Sequence, residues 1–321
     1  MVEGLNRRSF MQLGVAAGAA SIAPRWMRAQ PQAASATARA AQAQAEGASA
    51  PIKTTRLYDN VYLFQGQGGN MALQTGPEGN LLIDSSFAPA VPRIREAIAA
   101  VGQEGSAAPA ILVNTHWHGD HTGGNEGLHA AGFTIYAHRN TRKQLSVPHT
   151  MALFHSTTPA APAGALPTIT FDHALEMWRN GDSLDLVHFD PAHTDTDIYI
   201  HFHSADVLHL GDIWFNGIYP FIDEGTGGSI SGMIRAAEKA LAVAGNDTKI
   251  IPGHGPLGAK AELQKFHDML SGVRDKVAAL KASGASEQEA LAKKPTADFD
   301  AAWGKGMLSP DVFTGIVYRT L

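Results

Sequence analysis

Residues 115–125 read THWHGDHTGGN. His116, His118, Asp120 and His121 fall within six positions, with Gly119, Gly123 and Gly124 among and just after them. The apolar run ILVNT before the cluster reads as a buried strand, so the cluster lies where a strand ends. Along an extended segment alternate side chains share a face, which lets His116 and His118 reach one ion. Past Gly119 the chain can turn, and Asp120 and His121 can face a second ion. Imidazole and carboxylate without thiolate suit Zn²⁺ ahead of Mn²⁺ or Fe. A lone His-x-His would carry little; HxHxDH at a strand end points to a metal site.

The same placement recurs downstream. His193 follows LDLVHFDPA, Asp212 follows DVLHLG and His254 follows KIIPG, each just past a segment with strand character. Strand ends along one edge of a layered fold converge in space while far apart in sequence.

The remaining periodicity supplies the layers. RLYDNVYLFQG, NMALQTG and LLIDSS read as strands, with a turn at residues 77–80. VPRIREAIAAVG places Val91, Ile94 and Ile98 on one helical face and stops at Gly102. GLHAAG is expected to be a short helix, TIYAH a strand, and the Pro-, Ala- and Thr-rich residues 145–168 a long loop or lid. ITFDHALEMW, DSLDLVHF, DIYIHF and DVLHLGD then read as strands, SISGMIRAAEKALAVAG as a helix, TKIIPGHG as a strand, and residues 259–282 as a long amphipathic helix. Two halves of similar build predict an α/β fold in which two sheets pack face to face with helices outside, an αββα four-layer sandwich.

With these residues in place, the chain resembles the metallo-β-lactamase fold superfamily over roughly residues 54–260. The resemblance rests on Asp84 in LLIDSS, His116-x-His118-x-Asp120-His121, His193 in PAHTDTD, Asp212 in LGDIWF and His254 in PGHG. It implies a dinuclear site with two zinc ions per chain. His116, His118 and His193 would hold the first ion, Asp120, His121 and His254 the second, and Asp212 would bridge them. Asp84 would orient ligands without binding metal, and Asp120 would orient the nucleophile. The implied chemistry is attack of an activated water on an amide, lactone or thioester carbonyl, with β-lactam hydrolysis the leading substrate and a lactonase or glyoxalase-type thioesterase the alternative. Departures from the lactamase pattern are plain. The thiolate subclass has cysteine at Asp212 and lysine three positions on, where this chain has Phe215 and no cysteine at all. The subclass that uses His121 as a ligand has serine at Asp212. Asn216, Tyr219 and Arg142 are candidate substrate contacts, as are His138, His149 and His155 near the expected lid; His209 reads as structural, and His201 and His203 face away from the apolar side of their strand.

Composition narrows the alternatives. The chain has 321 residues, 44% hydrophobic and 17% charged, as a folded soluble protein does. Absence of cysteine excludes disulfides, thiolate ligands and a cysteine nucleophile. Net charge is −5, but residues 1–50 hold five arginines against two glutamates, which leaves −8 on the body. An acidic body argues against a nucleic-acid partner and thus against a nuclease of this fold. An iron-dependent oxidoreductase of the fold and a zinc-storage protein are the other rivals. Storage sites close every coordination position, whereas these ligands stand on glycine turns.

The first fifty residues read as an address. Arg7-Arg8-Ser9-Phe10-Met11 resembles a twin-arginine export signal; a mild apolar run to Ala23 follows and Pro24 ends it. Residues 29–50 read as a flexible linker, with cleavage expected near Ala36 or Ala40. The expected organisation is a signal and linker over 1–50, then a hydrolase domain over 51–321 with a helical C-terminal extension. Export by the twin-arginine machinery to the periplasm, a small-molecule substrate and no stable membrane anchor complete the expectation.

Overall fold

The structure is a computed structural model that describes residues 51–101, 110–154 and 156–321. The expected export signal and linker over residues 1–50, together with Gly102 and His155, lie outside them.

The first sheet takes its strands in the order β1 (Lys53–Arg56), β2 (Val61–Gln65), β3 (Met71–Gln74), β4 (Leu81–Ile83), β5 (Ala110–Val113), β6 (Phe133–His138) and β9 (Ile169–Phe171). Pairing is antiparallel from β1 to β4 and parallel from β4 to β9. A separate hairpin joins β7 (His149–Met151) to β8 (Ser156–Thr158). The second sheet runs β10 (Ala174–Arg179), β11 (Asp182–His188), β12 (Ile198–Phe202), β13 (Val207–Phe215) and β14 (Lys249–His254), antiparallel until the parallel β13–β14 pair. The helices are α1 (Val91–Ala100), α2 (Gly119–Thr122), α3 (Asn125–Ala130), α4 (Arg139–Leu145), α5 (Ile230–Val243), α6 (Lys260–Ala282), α7 (Glu287–Ala292), α8 (Asp300–Trp303) and α9 (Pro310–Arg319).

Strand alternation sorts the apolar residues into three cores. Leu63, Ile83 and Val113 of the first sheet meet Leu184, Ile200 and Phe202 of the second in the central layer. Their neighbours Phe64, Leu82 and Leu112 point the other way, onto Ile94 and Ile98 of α1. Leu208 and Leu210 of β13 likewise face outward, onto Met233 of α5 and Phe266 of α6. A one-residue slip in any of these strands would exchange its two faces, so burial on both sides fixes the register. The result is the αββα four-layer sandwich.

Four expectations need correction. Residues 145–168 are not one irregular loop: the β7–β8 hairpin occupies their middle, a local antiparallel pairing that a Pro- and Ala-rich composition conceals. ITFDHALEMW is two strands, β9 at the edge of the first sheet and β10 at the edge of the second. The helices after residue 259 are not an appendage. Leu263, Phe266, Val273, Phe313 and Ile316 close the core beneath the second sheet. Asp212 and His254 lie on strands rather than past them; β13 continues to Phe215 through register shifts around Gly211, and such irregularities re-aim a side chain.

Candidate metal centre

All seven candidate ligands come together. His116, His118, His193 and Asp212 form one group, and Asp120, His121 and His254 a second, with the donor atoms of each group within 4.8 Å of one another. Asp212 joins the groups. Its Oδ2 lies 3.4 Å from His193 Nε2 and 3.8 Å from His116 Nε2, and its Oδ1 lies 3.1 Å from His121 Nε2. His254 Nε2 is 3.1 Å from Asp120 Oδ2 and 3.5 Å from Asp212 Oδ2. The first group is buried, while the side chains of Asp120 and His254 are each 25% exposed, so the centre opens to solvent on their side.

The imidazoles are aimed by what their other nitrogens touch. His121 Nδ1 donates to Asp84 Oδ2 at 2.7 Å. His116 Nδ1 lies 3.0 Å from Thr115 Oγ1, which itself donates to Asp84 Oδ2 at 2.7 Å. Asp84 Oδ1 accepts from the Thr115 backbone N–H. One buried carboxylate therefore orients a histidine in each group. Asp84 has φ of +63°, a left-handed conformation costly for a non-glycine residue, and the network around it holds that geometry. His193 Nδ1 donates to the Phe221 carbonyl at 2.7 Å, and His118 Nε2 lies 3.1 Å from Asp223 Oδ2. Such outer partners fix tautomer and ring orientation at metal sites.

Asp223 is a residue that sequence reasoning missed. Thr226 Oγ1 and the Gly225 N–H donate to its carboxylate, and burial, which would raise its pKa, is outweighed by the His118 hydrogen bond, so it stays at about 2. Asn70 was missed as well. Its amide donates to the Pro252 and Gly255 carbonyls, its backbone N–H donates to Gly253, and its carbonyl accepts from His209 Nε2. These bonds strap the β2–β3 turn to the residues around His254. Neither residue stands in a spacing that announces metal chemistry.

Two glycines are demanded by close approach. A Cβ on Gly69 would stand 2.0 Å from His121 Cε1, and one on Gly253 would stand 1.9 Å from Asp212 Oδ1.

The donor set fits divalent cations. His118 Nδ1 and His193 Nε2 face each other at 2.9 Å, although each ring spends its other nitrogen on an acceptor. Burial pushes the His193 pKa down to about 4, so that ring is neutral and its Nε2 turns a lone pair toward His118. His116 Nε2 is buried without a hydrogen-bond partner. A cation seated among these rings gives it and the facing nitrogens of His118 and His193 a common partner. Electrostatics agree. Burial opposes ionisation of Asp212, yet His254, His121 and His116 hold its carboxyl well below the usual range. Asp120 is held at about 2, its desolvation outweighed by His121 and His254. Burial alone would lower the pKa of His254, but Asp212 and Asp120 push it up to about 10; His121 is likewise raised by Asp212, Asp120 and Asp84. The carboxylates thus call for positive charge on the second group.

The other candidates separate. Tyr219 is in the core, stacked on Phe313 with its hydroxyl on Asp300, because the chain after β13 dives under the C-terminal helices. Asn216 and Arg142 donate to the carbonyls of Pro256 and Pro167. His138 is buried and stacked on His188 at 3.7 Å. His149 lies against Trp117, ring centroids 4.2 Å apart. His209 has the structural role expected, and His203 pairs with Asp185 on the outer side.

Comparison with known proteins adds a family and three structures. The profile of the Metallo-beta-lactamase superfamily matches residues 64–254. A metallo-beta-lactamase from Pontibacter korlensis shares 16% identity with a TM-score of 0.55, over 68% of this chain and 99% of that one. The DIM-1 metallo-beta-lactamase shares 19% with a TM-score of 0.52, over 69% and 98%. The stereoselective inverting sec-alkylsulfatase Pisa1 from Pseudomonas sp. shares 17% with a TM-score of 0.61, over 84% of this chain and 50% of that one. At these identities the three structures speak to the fold.

Proposed function

Because the chain belongs to the metallo-β-lactamase superfamily, whose members are typically metal-dependent hydrolases, we propose that its two donor groups hold a pair of zinc ions and that it cleaves a carbonyl compound. The observation that carries the pair is Asp212, which turns Oδ2 to the histidines of one group and Oδ1 to His121 of the other. Ions bound there supply a water of lowered pKa and a Lewis acid for the carbonyl oxygen. The protein does the rest. His116, His118 and His193 are held by Thr115, Asp223 and the Phe221 carbonyl, so the first group needs little reorganisation. Asp120 is ionised and partly exposed, and its Oδ2 lies 3.1 Å from His254 Nε2, so its carboxylate is placed to accept a hydrogen bond from the attacking water and orient it. The full set of seven donors in two groups supports a pair of ions over the single iron of an oxidoreductase.

Among carbonyl substrates, Phe215 favours a lactone or thioester over a β-lactam. It stands where lactamases of the thiolate subclass place a lysine for the drug's carboxylate, and here it is buried, stacked on His254 at 5.2 Å. Among the described residues no lysine or arginine lines the cavity beside the metal loop.

The test is metal analysis of the purified protein, then assay on a lactone, an acyl thioester, a cephalosporin and a carbapenem. Two zincs per chain and turnover that His118→Ala abolishes are expected. One iron per chain with oxygen consumption, or turnover that survives chelation, would overturn the reading.

Export belongs to the same proposal. Arg7-Arg8 with the apolar run behind them supports delivery through the twin-arginine machinery to the periplasm, and the −8 body supports a small-molecule substrate rather than nucleic acid. Among the described residues no helix is long and apolar enough to cross a membrane. Residues 1–50 fused to a reporter should export it, and Arg7→Lys/Arg8→Lys should retain it in the cytoplasm.

A further inference from the structure

A cavity of about 250 Å³ lies against the metal loop, between Trp117 and Gly119 on one side and the segment around the β7–β8 hairpin on the other. Three features bear on what it takes. The first is proximity to the centre. Gly119 lines the cavity and is the chain neighbour of both His118 and Asp120, and no atom lies within 4 Å of where its Cβ would stand. The second is chemistry. Trp117, Leu145, Val147 and Met151 supply apolar surface, while the polar groups nearby are turned inward. Gln144 donates to Asp195, Thr122 donates to the Trp117 and His118 carbonyls, and His149 lies on the Trp117 ring with Nε2 on the Gln144 carbonyl. Glu126, exposed on the wall, disfavours an anion. The third is an apolar rim. Val147, Leu153 and Phe154 are 45%, 37% and 38% exposed, unusual for large apolar side chains. Phe154 packs on Phe221 at 5.0 Å, and Phe221 packs on both His118 and His193 at 5.8 Å. Apolar contacts therefore link Phe154 of the hairpin, beside the cavity-lining segment, to the rings of the first metal group.

We propose that this cavity receives the uncharged alkyl or acyl arm of the substrate whose carbonyl is cleaved at the metal centre. The substrate class is a lactone or thioester bearing a straight apolar chain. This deepens the hydrolase reading and rests on it. A β-lactam with charged side groups would leave the cavity unfilled.

Two series test it on the metal-loaded protein. Neutral straight-chain amides, acetamide to decanamide, are titrated by calorimetry, and acyl thioesters of two to ten carbons are assayed for turnover. Affinity and kcat/KM should each rise about fourfold per methylene until the cavity is full. Gly119→Leu, which fills the mouth, and Ala160→Trp, which fills it from the hairpin side, should each lower the long-to-short kcat/KM ratio at least tenfold with metal content at the wild-type level. If Gly119→Leu loses metal, Ala160→Trp carries the comparison alone. Turnover of short thioesters with no dependence on chain length, or a ratio unmoved by Ala160→Trp, would overturn the cavity's role and leave the hydrolase reading intact. Amide binding that climbs with length while no carbonyl compound turns over would remove the hydrolase reading and the substrate role with it.

Discussion

Asp223 Oδ2 lies 3.1 Å from Nε2 of His118, across 105 positions of sequence, and so decides which nitrogen of that ring faces the metal centre. With Nε2 committed to the carboxylate, Nδ1 is the nitrogen turned toward His193. Asp223→Ala should free the ring to rotate and weaken zinc affinity roughly 10- to 100-fold. Asp223→Asn keeps an oxygen that can accept from Nε2–H and should lose less. Competition with a chromophoric chelator measures both, and an alanine variant within twofold of wild type would show that His118 is held by something else.

Asn70 acts on the other group. Removing its side chain leaves the buried Pro252 carbonyl without that donor, at about 1–3 kcal/mol for an unsatisfied group, while the partly buried Gly255 carbonyl keeps Gln65. Asn70→Ala is expected to cost on the order of 1–3 kcal/mol of stability in urea unfolding of the metal-free protein. Dialysed zinc content should fall from two equivalents toward one, because His254 rides on the strapped segment. Equal loss of both equivalents would mean that Asn70 supports the fold as a whole.

These two residues mark where the sequence ceases to be readable. His116, His118, Asp120 and His121 declare themselves because four metal-grade donors in six positions have no common packing use. His193, Asp212 and His254 follow once strand ends are searched for the same donors. Asp84, Asp223 and Asn70 act by hydrogen bonds to partners 31 to 185 positions away, and only the resemblance pointed to Asp84. A lone Asp in FIDEGTGG or Asn in GQGGN looks like turn chemistry, which both also perform. The layers were legible because Leu63 against Phe64 and Ile83 against Leu82 alternate between two cores. The β7–β8 hairpin was not, since HTM and STT are short, polar and outside both sheets.

Gly253 offers a steric test of the bridging carboxylate. A methyl group there would collide with Asp212 Oδ1 and with the Gly211 carbonyl, 2.8 Å away. Gly253→Ala should therefore displace Asp212 and lower zinc affinity by roughly tenfold or more while far-UV circular dichroism stays native. Gly164→Ala is the control; its nearest neighbours would be 3.6 Å away, and stability should change by less than about 0.5 kcal/mol. If the two variants bind zinc alike, Asp212 is not seated where the structure places it.

The stacked pair of His138 and His188 predicts how stability falls in acid, independently of the metal centre. The rings lie 3.7 Å apart and nearly parallel, His138 Nε2 donates to the Asp172 carbonyl and its Nδ1 accepts from the Asn140 N–H, an arrangement that holds the ring neutral. Burial, with His188 adding to it, pushes the His138 pKa down to about 4, against about 6.5 when unfolded. Between these values the unfolded chain binds the extra proton, so stability rises with pH across the window. It is at full strength above pH 6.5 and falls as the pH drops toward 4, by on the order of 2 kcal/mol from this residue. His138→Phe keeps a ring in the stack and removes the titrating nitrogen. Urea unfolding of both proteins from pH 4 to 7.5 should give a difference curve that is flat above 6.5 and slopes in the variant's favour below it. A difference independent of pH would show that His138 is protonated as readily in the folded protein as in the unfolded chain.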